Sequence, residues 1–190
     1  MKTLLIVDPQ NDFITGSLAV AGAKEKMMKL SEYIKAKGDE YDYIFVTLDT
    51  HPTTHCSFKE NGGLWPTHCV MFTNGWNMPE YLADSFYGLT SVFIYYKGDN
   101  SSKEEYSIFQ NEMCGTVLTK QLQHFQKQDP ETYVDVCGIA GDYCVLETLK
   151  GLVELINPKH IRVLTEYVAS IDGGKALNEF IKSNNLQEIN

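Results

Sequence analysis

Three groups of side chains have the types and spacing to do chemistry. The first is Asp49-x-His51, followed by His55, Glu60 and His68. In an extended segment residues two apart point the same way, so Asp49 and His51 can reach one cation. His68 would supply a third ligand where the loop returns. A carboxylate with two imidazoles suits zinc, iron or manganese and leaves positions open for water or substrate. His55 and Glu60 compete for a fourth place. The competing reading is a set of loop histidines that only hydrogen-bond. The second group is Cys144, which follows Gly138-Ile-Ala-Gly-Asp-Tyr and opens a helical pattern. A helix start offers unpaired N–H groups and the positive end of the macrodipole, which favour a thiolate and can hold a developing oxyanion. The bland alternative is a packed structural thiol. The third group is Asp8 with Lys97. A lysine near a thiol and a carboxylate can hold both as anions. Taken separately, Asp8 would cap the Asp-Pro turn and Lys97 would reach solvent.

These residues need elements to bring them together. β-branched and aromatic runs predict strands at Thr3–Asp8, Tyr43–Asp49, Ser91–Lys97, Thr132–Ala140 and His160–Val168. Most are continuous apolar runs, as expected of parallel strands buried on both faces. Helical spacing predicts helices at Ala23–Lys37, Cys114–Gln126, Tyr143–Leu155 and Lys175–Asn184. In the first, Met27, Leu30 and Ile34 share a face; in the second, Val117, Leu118, Leu122 and Phe125 do. The alternation implies an α/β fold with a mostly parallel sheet and right-handed crossovers. Strand C-terminal ends then share one edge, where Asp8, Asp49, Lys97 and Cys144 converge. Residues 50–79 break the rhythm with Pro52, Gly62, Gly63, Pro66, Gly75 and Pro79. An irregular segment of that length, carrying three of the five histidines, reads as functional.

Length and composition frame these features. A chain of 190 residues, 43% apolar and 22% charged, reads as one globular domain spanning 1–190. Sixteen basic against 25 acidic residues give a net charge of −9. That disfavours nucleic acid and anionic membrane surfaces as partners; self-association stays open. The cysteines are five: Cys56, Cys69, Cys114, Cys137 and Cys144. The odd count argues against a disulfide framework, and the N-terminal apolar run is short for a signal or membrane span. The expectation is a cytoplasmic protein with free thiols. Cys137, inside an apolar strand, reads as core.

Taken jointly the motifs are specific. The chain resembles the pyrazinamidase/nicotinamidase family of the isochorismatase-like cysteine hydrolase superfamily, on LLIVDPQNDF, DTHPTTHCSF, LWPTHC, YYKG with the later YSIF, and GIAGDYCV. These segments occur in the family's order across essentially the whole chain. The resemblance implies a three-layer α/β/α, Rossmann-like fold. It implies hydrolysis of nicotinamide to nicotinate and ammonia through a thioester, in NAD salvage, with pyrazinamide as a related substrate. Cys144 would be the nucleophile, Asp8 the proton carrier and Lys97 the stabiliser of charge. Backbone N–H groups of Ala140 and Cys144 would form the oxyanion hole, after a cis Ile139–Ala140 peptide. One divalent ion, zinc foremost, with iron or manganese as alternatives, would sit on Asp49, His51 and His68 and take the pyridine nitrogen. Phe13 and Trp65 match the family's ring-sandwiching positions, and Tyr106 of YSIF joins them. For the fourth metal contact some members use a histidine and others a glutamate; HCSF resembles the H-x-S-F of several relatives, which leans toward His55 over Glu60. Gly141 departs from the Thr of many relatives. Two other readings compete. One is a different small-amide hydrolase of the same superfamily; the other is a non-catalytic pyridine- or metal-binding module, opposed by a filled Asp/Lys/Cys set.

Overall fold

In the computed structural model, which describes residues 1–189, strands and helices alternate along the chain. They are β1 (Lys2–Val7), α1 (Asn11–Ile14), α2 (Ala23–Lys37), β2 (Tyr43–Asp49), α3 (Glu80–Ala83), β3 (Val92–Lys97), α4 (Cys114–Gln128), β4 (Tyr133–Ile139), α5 (Cys144–Leu155), β5 (Ile161–Ala169), α6 (Lys175–Ser183) and β6 (Gln187–Ile189). The five expected strands and four expected helices are present, shifted by at most two residues at their ends. β6 was not anticipated, because Gln187-Glu188-Ile189 has no apolar run. α1 and α3 are four residues each, too short to show a period.

All six strands are parallel, in the order β3-β2-β1-β4-β5-β6. α2 packs on α3 and β5, while α4, α5 and α6 pack in series, so helices cover both faces in three α/β/α layers. The helical stripes explain the covering. Met27, Leu30 and Ile34 of α2 are buried, as are Leu118, Leu122 and Phe125 of α4 and Val145, Leu149 and Leu152 of α5. Val117, placed on the α4 stripe from spacing, is exposed instead. β1 and β4 are buried from their second residue onward. β3 is as apolar but half-exposed, because it is the sheet's edge and has a neighbour on one side only.

The strand order reverses between β1 and β4, which leave the sheet in opposite directions. Ligands of open α/β sheets bind at such a point, beyond the carboxyl ends of the strands. Register brings Val7 beside both Thr47 and Gly138, and Asp49 beside Lys97. Asp8, Asp49, Lys97 and the turn into α5 therefore meet at one edge. Segment 50–79 crosses that edge as an irregular loop with isolated bridges pairing His51 with Val70 and Phe58 with Trp65. Among the described residues, no helix is long and apolar enough to cross a membrane.

Candidate active site and metal centre

Asp8 follows β1 at a positive φ of 48°, which turns its carboxylate off the strand line toward the switch point. Its Oδ1 accepts from Thr47 Oγ1 at 2.7 Å, and its Oδ2 lies 2.9 Å from Lys97 Nζ. Lys97, the last residue of β3, is fully buried. Its Nζ also donates to Asp49 Oδ1 at 2.6 Å and to the Glu105 carbonyl at 3.1 Å, and it lies 3.7 Å from Cys144 Sγ. Burial disfavours protonation of a lysine amine, but here Asp49 and Asp8 outweigh burial and hold Lys97 well above the ordinary lysine range. Burial raises the Asp8 pKa, with Lys97 opposing it and Asp49 adding to it.

Cys144 is the first residue of α5 and is buried. Burial pushes its thiol well above the ordinary range; Lys97 opposes this, while Asp8 and Asp49 reinforce it. The helix start was expected to favour a thiolate. The structure instead raises the thiol pKa, because desolvation penalises the lone anion. Oxygen atoms of Asp8 and Asp49 and the Cys144 sulfur lie within 4.8 Å of one another. The Ile139–Ala140 peptide is cis, as the resemblance implied. Among the described residues, the N–H groups of Ala140 and Cys144 have no protein acceptor, whereas those of Gly141, Tyr143 and Val145 do. Two unspent donors thus flank the sulfur. At Gly141, Ser170 Oγ and Val168 Cγ1 occupy the space a Cβ would take, so a larger residue there would have to displace them.

Across the site, ligand atoms of Asp49, His51 and His68 also gather within 4.8 Å. Loop closure brings them together: His51 N–H donates to the Cys69 carbonyl at 3.0 Å, and Met71 N–H returns to the His51 carbonyl at 3.0 Å. His51 Nδ1 meets the Gly98 carbonyl at 2.8 Å and His68 Nδ1 the Pro66 carbonyl at 2.7 Å. Carbonyls only accept, so both Nδ1 atoms carry a proton, and in the neutral ring each Nε2 keeps its lone pair. His51 Nε2 is buried with no hydrogen-bond partner, 3.5 Å from Asp49 Oδ2. An orphaned lone pair beside a carboxylate and a second imidazole is a donor set fit for a divalent cation. Burial opposes ionisation of Asp49, yet the Lys97 ammonium holds its carboxyl well below the usual range. Gly98 at φ +72° permits this closeness, since a Cβ there would stand 2.7 Å from His51 Nδ1.

The two fourth-ligand candidates part company. His55 stacks on His51 with ring centroids 4.0 Å apart, but its Nδ1 meets Ser57 Oγ at 2.7 Å and its Nε2 the Lys103 carbonyl at 3.1 Å. Burial lowers its pKa to about 4. Glu60 points outward and accepts from Thr67 Oγ1 at 2.8 Å, away from the cluster. The carboxylate that does approach is Glu104, grouped with His51 and His55 and raised in pKa by burial. Glu104 lay outside every motif, so only the fold of the 98–105 turn reveals it.

Between the Cys144 sulfur and His68 lies a pocket open to solvent. Phe13, Trp65 and Tyr106 line it, as expected. Trp65 Nε1 donates to Tyr106 OH at 3.0 Å, fixing both rings. Tyr143 joins them, 5.0 Å from Trp65 edge-on and 5.5 Å from Tyr106. Its place directly before Cys144 at a helix start was the available signal. Gln10 was also missed. Fully buried, it accepts from Asp49 N–H at 2.7 Å and donates to the Asp49 and Trp76 carbonyls at 2.7 and 2.8 Å. Asp12 anchors the loop further along by accepting from Cys69 N–H at 2.8 Å. Cys137 is fully buried in the core, and Trp76 is a half-buried residue outside the cavity.

No family model matches the chain. It is 36% identical over 176 residues to the nicotinamidase/pyrazinamidase of Mycobacterium tuberculosis, covering 90% of this chain and 88% of that protein. The yeast nicotinamidase bound to the inhibitor nicotinaldehyde superposes with a TM-score of 0.82 at 27% identity, over the full length of both chains. The pyrazinamidase of Pyrococcus horikoshii in complex with zinc superposes at 0.76 with 30% identity, over 99% of this chain and 98% of that one.

Proposed function

The chain belongs to the nicotinamidase/pyrazinamidase family, and from that premise we propose that it hydrolyses nicotinamide to nicotinate and ammonia as a metal-dependent cysteine amidohydrolase. One observation carries the reading: a single cavity is lined by Cys144, with Lys97 and Asp8 buried behind it, and by Asp49 and His68, which gather with His51 as a donor set. The carboxamide belongs near sulfur, and the aromatic ring between the walls of Phe13, Trp65 and Tyr106. Stacking there contributes on the order of 0.5–1.5 kcal/mol beyond burial.

Asp8 takes the thiol proton as Cys144 Sγ bonds to the carboxamide carbon. The carbonyl oxygen, now negative, faces the N–H groups of Ala140 and Cys144. Asp8 returns the proton to the amide nitrogen as the C–N bond breaks, and ammonia leaves. Water then attacks the thioester with Asp8 as base, releasing nicotinate and restoring the thiol. Lys97 stays protonated throughout and offsets whichever anion is present. Asp49, His51 and His68 would hold the metal, for which the zinc-bound relative supports zinc. A bound divalent ion supplies Lewis acidity and a fixed point for orienting a ring nitrogen or a water. The double name of the Mycobacterium relative supports pyrazinamide as a second substrate. The five thiols are unpaired, which suits a reducing compartment, and we place the enzyme in the cytoplasm, in NAD salvage.

Ammonia release from nicotinamide tests the proposal. Wild type should release it, Cys144→Ala should not, and a chelator should suppress it until zinc is restored. An active Cys144→Ala enzyme would overturn covalent catalysis. Full activity after chelation would point to a metal-independent small-amide hydrolase.

A further inference from the structure

β3 is an uncapped sheet edge with an unusual surface. Natural edges carry charge, proline or a bulge that blocks pairing with another chain. Here Ser91–Tyr96 has none: it reads SVFIYY, and its register with β2 runs unbroken from Val92 to Lys97. The carbonyls of Ser91 and Lys97 accept from Ile44 and Thr50 N–H, so odd-numbered residues bond β2. By alternation Val92, Ile94 and Tyr96 turn their N–H and C=O outward. Among the described residues nothing bonds them. Phe93, Ile94 and Tyr96 are 38, 41 and 39% exposed. The apolar surface continues from the strand: Tyr96 stacks on Trp76 at 5.8 Å, and Trp76 meets Phe72 edge-on at 5.8 Å. Phe72 sits at φ +67° and is 84% exposed, so strained backbone presents a phenyl ring to water.

We propose that this edge is the interface with a second copy of the chain, β3 pairing antiparallel with β3 across a twofold axis. The backbone pattern is self-complementary about Ile94. With Ile94 opposite the partner's Ile94, Val92 falls opposite the partner's Tyr96, and every outward N–H meets a carbonyl. These three side chains share one sheet face, that of Trp76, so the aromatic ladders of both copies flank the seam. Charge does not oppose this contact between like molecules: each copy carries −9, but residues 91–96 carry none. An aromatic side chain buries roughly 150–250 Å², so the parts exposed at Phe72, Phe93 and Tyr96 alone amount to about 300 Å² per copy. Doubled, and joined by Ile94, Trp76 and the strand backbone, this approaches the roughly 1,000 Å² a specific interface needs.

Sedimentation velocity across a concentration series tests it, using the full chain. Wild type should be a dimer. Ile94→Lys and Ile94→Glu should each weaken the dimer at least ~100-fold, since like charges then face each other at the axis. An equimolar mixture of the two variants should dimerise again, which only a contact placing residue 94 opposite itself predicts. Nicotinamide hydrolysis and circular dichroism of both variants should match wild type, showing that the chain still folds. A monomeric wild type, a dimeric Ile94→Lys protein, or variants that fail to recombine would each overturn the proposal.

Discussion

Lys97 has no access to water, yet it carries its charge because Asp8 and Asp49 lie 2.9 and 2.6 Å from Nζ. Removing the ammonium would leave two buried carboxylates facing each other. Breaking a buried ion pair from one side costs about 3–5 kcal/mol. Lys97→Met should therefore lose nicotinamide hydrolysis and also unfold at markedly lower urea. A variant as stable as wild type would show that the charges do not balance as described. At this scale the sequence was informative where chemistry and position agreed. Asp8, Asp49, Lys97 and Cys144 are reactive types at strand ends or helix starts, and the structure brings them together. Gln10 and Glu104 were illegible for the opposite reason. A buried amide clamping the Asp49 backbone, and a glutamate at a turn, have roles only through neighbours distant in sequence. Glu60 drew attention through spacing alone and lies outside the cluster.

At the scale of elements, α6 shows how a terminus is secured. Asp172, two residues before the Gly174 cap, accepts from Gly174, Lys175 and Ala176 N–H at 2.8, 3.1 and 2.8 Å. These bonds lower its pKa, the Ala176 N–H contributing most. Since the folded value lies below the unfolded one, the stabilisation is present above the ordinary aspartate pKa of about 3.9 and fades as pH falls through the folded value. Asp172→Ala should thus cost about 0.5–1 kcal/mol at pH 7, in line with other caps on exposed helix starts. Chemical denaturation at pH 7 and near pH 3 checks this: the gap between variant and wild type should shrink at the lower pH. An equal gap at both would remove the carboxylate from the explanation. The strands were legible because five of them are apolar runs, but their burial was not. β3 reads like β1 and lies at an edge; β6 has no apolar run and joins the sheet all the same.

For the whole molecule, the metal centre draws on β2, on the loop that returns at His68 and on the turn at Gly98. A cation that binds only this assembled set stabilises the fold by mass action, by about 2.7 kcal/mol at a free concentration a hundred times Kd. Zinc added to the chelated protein should raise its melting temperature, and should do so far less for His68→Ala. An equal rise in both would place the ion elsewhere. This readout is independent of turnover, so it separates loss of metal from loss of catalysis.

The sequence by itself determined the α/β alternation, the length of most elements and the kind of chemistry, because hydrophobic period and motif spacing are local properties. It also marked 50–79 as a segment with work to do. Only the tertiary structure decided which strand became the edge and which imidazole nitrogens stayed free. It also pushed the thiol pKa up rather than down and kept Glu60 outside the site. Each of these depends on groups far apart in the chain: a carbonyl beside Nδ1, a neighbour absent from one side of β3, and burial that outweighs a helix dipole at Cys144.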